Sequence, residues 1–342
     1  MKGDLSLSKS QTHTQDIAEH LRGICPHRVY RDVDLSSISR WRVGGSADCL
    51  VVVENDRELR LLLEFLAFSK TPWVLLGTTA NLLFSDEGLR AVGIMLGKGF
   101  RHFSVEGDGH DVIAGSAIWV PAFSRKVANA GLAGAEHVCG IPGTLGGLIC
   151  MNGGSQRKGI GDNLVSVRAV SPDGRELRYN RAECEFAYRS SRFQGSQEIV
   201  LEARFRYPRS GEPREIRREM LSILSERSRK FPRKLPNCGS VFISNPDMYD
   251  QYGPPGALVE QCGLKGVKRG GAMISESHAN FINNIGGATA SDILSLVHLM
   301  REEVAAKFGF SMDTEARFVR EDGSMVSAHD EAALRFGQVT SV

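Results

Sequence analysis

Six of the fifteen residues in Gly140-Ile-Pro-Gly-Thr-Leu-Gly-Gly-Leu-Ile-Cys-Met-Asn-Gly-Gly154 are glycine. Glycine costs about 1 kcal/mol relative to alanine inside a helix and gives a core nothing to pack. The run therefore argues against an ordinary helix or a central strand. Its neighbours are nevertheless apolar: Val138 precedes it, and Leu148, Ile149 and Met151 lie within it. Such a loop is pinned into a core with its backbone bare, which suits close approach of N–H groups to a phosphate or another oxygen-rich ligand. A tight turn accounts for any one of these glycines, and less well for the cluster from Pro142 to Gly147. The spacing of Gly140, Gly143, Gly146 and Gly147 is not G-x-G-x-x-G, and no G-x-x-x-x-G-K-[ST] occurs. Rossmann and P-loop nucleotide sites are thereby excluded.

The 342 residues suffice for two or three domains, and a formal charge of +2 makes no case for nucleic acid or an anionic membrane as partner. The seven cysteines are scattered without a C-x-x-C, and no leader is evident. Reduced thiols in a cytoplasmic protein are the expectation. His137 and Cys139 are the one close pair of soft ligands and lack partners at zinc spacing, so no metal is expected. No apolar run is long enough to span a bilayer.

Strand and helix patterns alternate along the chain. Residues 49–54 and 73–77 are β-rich, residues 57–70 carry apolar side chains at helical spacing, and residues 93–96 and 111–114 suggest further strands. Proline starts and glycine ends a helix over 121–132. Residues 165–171 and 176–179 flank Pro172-Asp-Gly174 as a hairpin, and 198–207 form a longer strand. Charged amphipathic helices are expected over 214–230 and 291–308. The polar first 23 residues suggest a mobile extension with a short helix near 16–22. From residue 321 the chain reads as a polar tail or a short extra helix around 330–336.

Four further clusters can carry chemistry. The turn Gly77-Thr-Thr-Ala-Asn-Leu-Leu83 follows a buried strand and offers several N–H donors. Alone it is an ordinary turn; opposite 140–154 it makes a two-sided cradle. Tyr188-Arg-Ser-Ser-Arg-Phe193 joins a phenol, two guanidiniums and two hydroxyls, suited to an anionic ligand or simply to a solvated turn. Ser240 follows Gly239 in a basic loop starting at Lys230, and without G-x-S-x-G it is a candidate proton donor rather than an acyl nucleophile. Glu315 enters an alternating segment, where a carboxylate needs a partner, Arg317 being the plain choice, or a raised pKa.

These segments, in this order, resemble the UDP-N-acetylenolpyruvoylglucosamine reductase family, the flavoenzymes known as MurB. The resemblance runs from Ser39-Arg-Trp-Arg-Val-Gly-Gly-Ser-Ala-Asp48 through the clusters above and Ser275-Glu-Ser-His-Ala-Asn-Phe-Ile282 to Glu315-Ala-Arg317, and its compact motifs are like those of the shorter type II branch. It implies an α+β fold: a two-subdomain FAD-binding module of the MurB and vanillyl-alcohol-oxidase kind, then a smaller α+β substrate domain. The implied division is 1–28 extension, 29–100 and 101–208 FAD subdomains, 209–320 substrate domain and 321–342 tail. It also implies FAD as cofactor, NADPH as reducing co-substrate, a UDP-sugar substrate, a cytoplasmic monomer and a place in peptidoglycan synthesis. Hydride would pass from reduced flavin to the enolpyruvyl group.

By motif position, Ser240 is the implied proton donor, with Arg189 and Glu315 beside the substrate carboxylate. Tyr188, Lys230, Asn245, His278 and Asn280 are the implied substrate residues. Gly77, Thr78, Thr79, Ala80, Asn81, Leu82, Gly140, Ile141, Pro142, Gly143, Thr144, Gly146, Gly147, Asn152 and Arg317 would hold FAD. The chain departs from the family's Gly-x-Gly-Ser-Asn-Leu turn, with Thr79 and Ala80 in place of glycine and serine, and threonine suits a positive φ poorly. Cys150, Gly153 and the segment Thr314-Glu-Ala-Arg317 depart too. Two alternatives stay open on these grounds: a relative acting on another nucleotide sugar, and a nucleotide-sugar-binding protein without flavin.

Overall fold

The computed structural model describes residues 9–208, 212–232, 234–244 and 246–337. The chain builds three α+β units, each around its own sheet.

The first begins with α1 (Lys9–Ile24), β1 (Val29–Asp34), the short α2 (Leu35–Ile38) and β2 (Ser46–Val53). It continues with α3 (Asp56–Phe68), β3 (Trp73–Leu75), β4 (Leu82–Phe84) and β5 (Leu89–Leu96). The sheet order is β1-β2-β5-β3, antiparallel at β1 and otherwise parallel. Asn55 caps α3 by accepting from the Glu58 N–H at 3.0 Å, and Leu59, Leu62, Leu63 and Leu66 line its buried face. The expected mobile extension is not one in the described residues. Helix α1 starts at Lys9 and seats Ile17, Ala18 and Leu21, with Cys25 just beyond it, in the core against α3 and β2. Three apolar positions on one face, with Cys25 beyond them, sufficed although the segment reads as polar, and the short helix expected near 16–22 lies within α1.

The second unit has β6 (Phe103–Glu106), β7 (Asp111–Gly115), α4 (Val120–Asn129), α5 (Leu145–Cys150), β8 (Leu164–Val170), β9 (Glu176–Asn180) and β10 (Ile199–Arg206). They form an antiparallel sheet ordered β6-β7-β10-β8-β9, with α4 and α5 in its core. The predicted hairpin at 172–174 is present, and Gly174 supplies the left-handed turn residue at φ +86°.

Helix α6 (Pro213–Lys230) packs back on α4 of the second unit, and the third unit contains α7 (Pro246–Gln251), α8 (Pro255–Gln261), β11 (Lys268–Arg269), β12 (Ala272–Ile274), β13 (Ile282–Asn284) and α9 (Ala290–Phe308). Thr289 and Asp292 cap α9 reciprocally, and Asp86 of the first unit accepts from the Ala290 N–H at 2.7 Å.

After α9 the chain returns to the first unit. Strand β14 (Arg317–Val319) pairs in parallel with β4 and antiparallel with β15 (Met325–Ser327), and α10 (Ala328–Phe336) packs Ala328 and Ala332 into the α9 core. The expected tail from residue 321 is therefore structured as far as Gly337, and a boundary at 320 would cut a hairpin. The expected division between 208 and 209 adjoins residues 209–211, outside the described residues.

Candidate active site

One cleft of about 2230 Å³ runs between the first two units and into the third. Its first wall is the turn after β3. Thr79 there adopts φ +53° and is 2% exposed. A left-handed conformation costs a residue with a Cβ roughly 1–2 kcal/mol, most severely when the side chain is β-branched. Two hydrogen bonds hold it: Thr79 Oγ1 donates to the Ile38 carbonyl at 2.9 Å and accepts from the Arg40 N–H at 3.3 Å. The thiol of Cys238 donates to the carbonyls of Thr79 and Leu82, both at 3.6 Å, tying the turn to the segment that carries Ser240.

The second wall is the glycine-rich loop. It does contain a helix, contrary to its composition, because Leu145–Cys150 closes as α5. The Thr144 hydroxyl accepts from the Gly147 N–H at 3.3 Å, and Leu145, Leu148 and Ile149 are buried at helical spacing. Tertiary packing outweighs the propensity of Gly146 and Gly147 here. A Cβ on Gly146 would lie 2.9 Å from the Ser116 Cβ, so glycine lets α5 sit against the loop after β7. A Cβ on Gly77 would lie 3.1 Å from Thr144 Oγ1, so the two walls touch.

Every expected FAD residue lines this cleft except Asn152. Asn152, at φ +40°, turns its amide behind the wall, donating to the Ala187 carbonyl at 2.8 Å and accepting from the Gly161 N–H at 3.1 Å. It braces two loops instead of facing the cavity.

Ala187 and Ser190 exchange backbone hydrogen bonds of 3.1 Å and 3.1 Å, closing a turn that displays Tyr188 and Arg189 to the cleft. Arg189 occupies the left-handed position at φ +54°. Its guanidinium donates to the Gly154 carbonyl at 2.9 Å and lies 3.5 Å from the Glu315 carboxylate. Burial raises the Glu315 pKa above its ordinary value, and the charge of Arg189 opposes that rise. Arg192, by contrast, stacks over Tyr179 at 3.8 Å and lies 3.6 Å from Glu198, away from the cleft.

Glu315 and Ser240 are held by neighbouring backbone. The Glu315 N–H donates to the Val241 carbonyl at 2.8 Å, and Phe242 and Thr314 form a β-bridge. Ser240 follows Gly239, at φ +82°, and lines the cleft. Asn280 also borders the cleft but is 2% exposed, with its amide spent on Phe242: Oδ1 accepts from the N–H and Nδ2 donates to the carbonyl, each at 2.9 Å. It secures the Ser240 strand, leaving one N–H of the amide and one lone pair of its oxygen beyond these bonds. Lys230 and His278 flank Phe231, and burial first, then Lys230, lowers the His278 pKa. Asn245 lies outside the described residues.

Sequence reasoning missed Ser39 and Ser116. Both line the cleft, and each hydroxyl is buried without a partner among the described residues, as are Thr78 Oγ1 and Arg317 Nε. Nothing in a lone serine marks it for this. Unpartnered buried donors cost about 1–3 kcal/mol each unless a ligand satisfies them. Four around one cradle fit a cofactor rich in oxygen and nitrogen. No metal-ligating cluster occurs among the described residues, and buried His137 is pushed down to about 4 by desolvation first and then by Lys158.

A glycine-walled cleft between two α+β lobes, lined by unpartnered donors, has the make-up of a dinucleotide-cofactor site, and comparison with known proteins gives the chain as a flavoprotein. Residues 47–180 match the family model described as FAD binding domain. Residues 231–319 match the model described as UDP-N-acetylenolpyruvoylglucosamine reductase, C-terminal domain. The chain is 41% identical over 319 residues to UDP-N-acetylenolpyruvoylglucosamine reductase 1 of Corynebacterium glutamicum, covering 93% of this chain and 94% of that one. It is 39% identical over 288 residues to the reductase of the same name from a Synechococcus species, covering 83% and 93%. The crystal structure of UDP-N-acetylenolpyruvylglucosamine reductase from Thermus caldophilus aligns at TM-score 0.72 with 31% identity, covering 85% of this chain and 98% of that one. The chain belongs to the UDP-N-acetylenolpyruvoylglucosamine reductase family.

Proposed function

We propose that this chain reduces the enolpyruvyl ether of UDP-N-acetylglucosamine enolpyruvate to UDP-N-acetylmuramate, using FAD and NADPH, in peptidoglycan precursor synthesis. The observation that carries the reading is the Arg189–Glu315 pair, 3.5 Å apart beside the Ser240 strand, at a cleft whose walls hold four unpartnered donors. Gly77 to Leu82, Gly140 to Gly147, Ser39, Ser116 and Arg317 would hold FAD, which when bound supplies the hydride.

Reduction at the methylene carbon leaves negative charge on the neighbouring carbon and its carboxylate. Arg189, fixed by Gly154 and Glu315, meets that charge in a partly dry site, where a preorganised guanidinium is most effective. Ser240 then protonates the carbon. A serine hydroxyl is a weak acid, so it serves only a strongly basic centre held beside it, as this carbon would be. Lys230, with Tyr188 and a His278 whose pKa burial lowers, takes the UDP end of the substrate. Both walls of the cleft come from one chain, which supports a monomeric catalytic unit. No described helix is long and apolar enough to cross a membrane, and we place the enzyme in the cytoplasm with its nucleotide substrates.

The test follows the flavin anaerobically in two stages. Reduction by NADPH should be followed by rapid reoxidation with the enolpyruvyl sugar; no reoxidation by that sugar overturns the assignment. In Ser240→Ala, reduction by NADPH should stay within twofold while reoxidation slows by about 100-fold or more, the usual scale of a lost general acid.

A further inference from the structure

The residues after Arg317 have no part in the chemistry above, yet α10 reaches the active site from behind. Its first turn grips both neighbours of Glu315. The Ala328 N–H donates to the Ala316 carbonyl at 3.0 Å. On the other side, His329 Nδ1 accepts from the Thr314 N–H at 3.0 Å, and the His329 N–H donates to Thr314 Oγ1 at 3.2 Å. Thr314 is 5% exposed and bridges Phe242, two residues beyond Ser240.

We propose that His329 is a positioning residue for the reaction assigned above, holding Glu315 against Arg189 through Thr314 and keeping the Glu315 segment in register with the Ser240 strand. The inference rests on the functional reading just given. An accepting Nδ1 requires the neutral ring with its proton on Nε2, which faces Ser327 Oγ at 3.4 Å and the carboxylates of Asp313 and Asp330 at 3.5 and 3.6 Å. Burial above all lowers the ring's pKa; the two carboxylates oppose this, and Arg301 and Arg317 assist it. Protonation in acid converts Nδ1 to a donor, which ends the bond from the Thr314 N–H and turns the ring toward Thr314 Oγ1, 3.0 Å away, as acceptor.

The experiment compares wild type, His329→Ala and His329→Asn in both half-reactions, with FAD titration of each apoprotein. It also records ¹⁵N spectra of the wild-type histidine rings. His329→Ala should slow reoxidation by the enolpyruvyl sugar about tenfold, the scale of one lost hydrogen bond, with flavin reduction and FAD affinity within twofold. Asn carries an acceptor near the Nδ1 position, so His329→Asn should recover most of that loss and remove one ionisation from the acid limb. The wild-type ring should be the Nε2–H tautomer. Equal loss in both half-reactions, weakened FAD binding, no recovery with asparagine, or an Nδ1–H ring would each overturn the proposal. If wild-type flavin is not reoxidised by the sugar, the functional reading falls, while the tautomer still decides whether His329 holds Thr314.

Discussion

The two walls of the flavin cleft do the same task by opposite means. In the 140–154 loop, side chains are left out: Gly146 lets α5 sit against Ser116. In the 77–82 turn, the left-handed position carries a threonine, and the side chain that causes the strain also offsets it by bonding Ile38 and Arg40. A glycine wall is shaped by what is missing. The threonine wall is shaped by a latch, which also fixes the loop that brings Ser39 and Arg40 to the cleft.

The comparison can be broken most sharply on the glycine side. Gly146→Val would wedge a branched side chain between α5 and Ser116, and overpacking of about 3 kcal/mol predicts a loss of FAD affinity near 100-fold by titration of the apoprotein. Unchanged affinity would mean that the close approach of α5 to Ser116 is irrelevant to the cofactor. On the other wall, Thr79→Val keeps the bulk and the strain but leaves the Ile38 carbonyl and Arg40 N–H unpaired. A cost of about 1–2 kcal/mol predicts a loss of roughly tenfold in the same titration. Thr79→Gly relieves the strain and loses the latch together, so the two terms nearly cancel and affinity should stay within about threefold. If glycine instead tightens binding strongly, the latch contributes nothing.

The smallest effect concerns the floor between the walls. Burial raises the Glu315 pKa, so the folded protein holds that proton more tightly than the unfolded chain. This contribution favours folding at low pH and is lost as pH rises from the ordinary carboxylate value through the raised one. Glu315→Gln should remove that part of the pH dependence and slightly raise the melting temperature of the apoprotein near neutrality. A slope unchanged in Glu315→Gln would assign it to another group.

Much of this was legible in the sequence where the signal is local. The α3 leucines, the Pro172–Gly174 hairpin and the turn at Gly77 announce themselves by spacing, and the order of the clusters points to the family. Thr79 was legible as a misfit, and its φ of +53° bears that out. What escaped depends on distant partners. Strands β4, β14 and β15 are three residues each and exist because residues 82–84 meet 317–319. Helix α10 was legible as a short helix over 330–336; what escaped is its docking, because it buries chiefly alanines, and nothing apolar marks it as packed rather than free. Helix α5 overrides its glycines through a cap and three buried side chains. Asn152 sits in the right motif with a backbone conformation that sends its amide behind the wall, a direction that no residue type encodes.

The central claim is that these two unlike walls form one flavin site. Titration of the purified apoprotein with FAD, followed by its visible absorption and fluorescence, tests it most directly. The account predicts saturable binding of one FAD per chain, with the flavin then bleached by NADPH. A protein that stays colourless, and leaves the spectrum of added FAD unchanged, would contradict it.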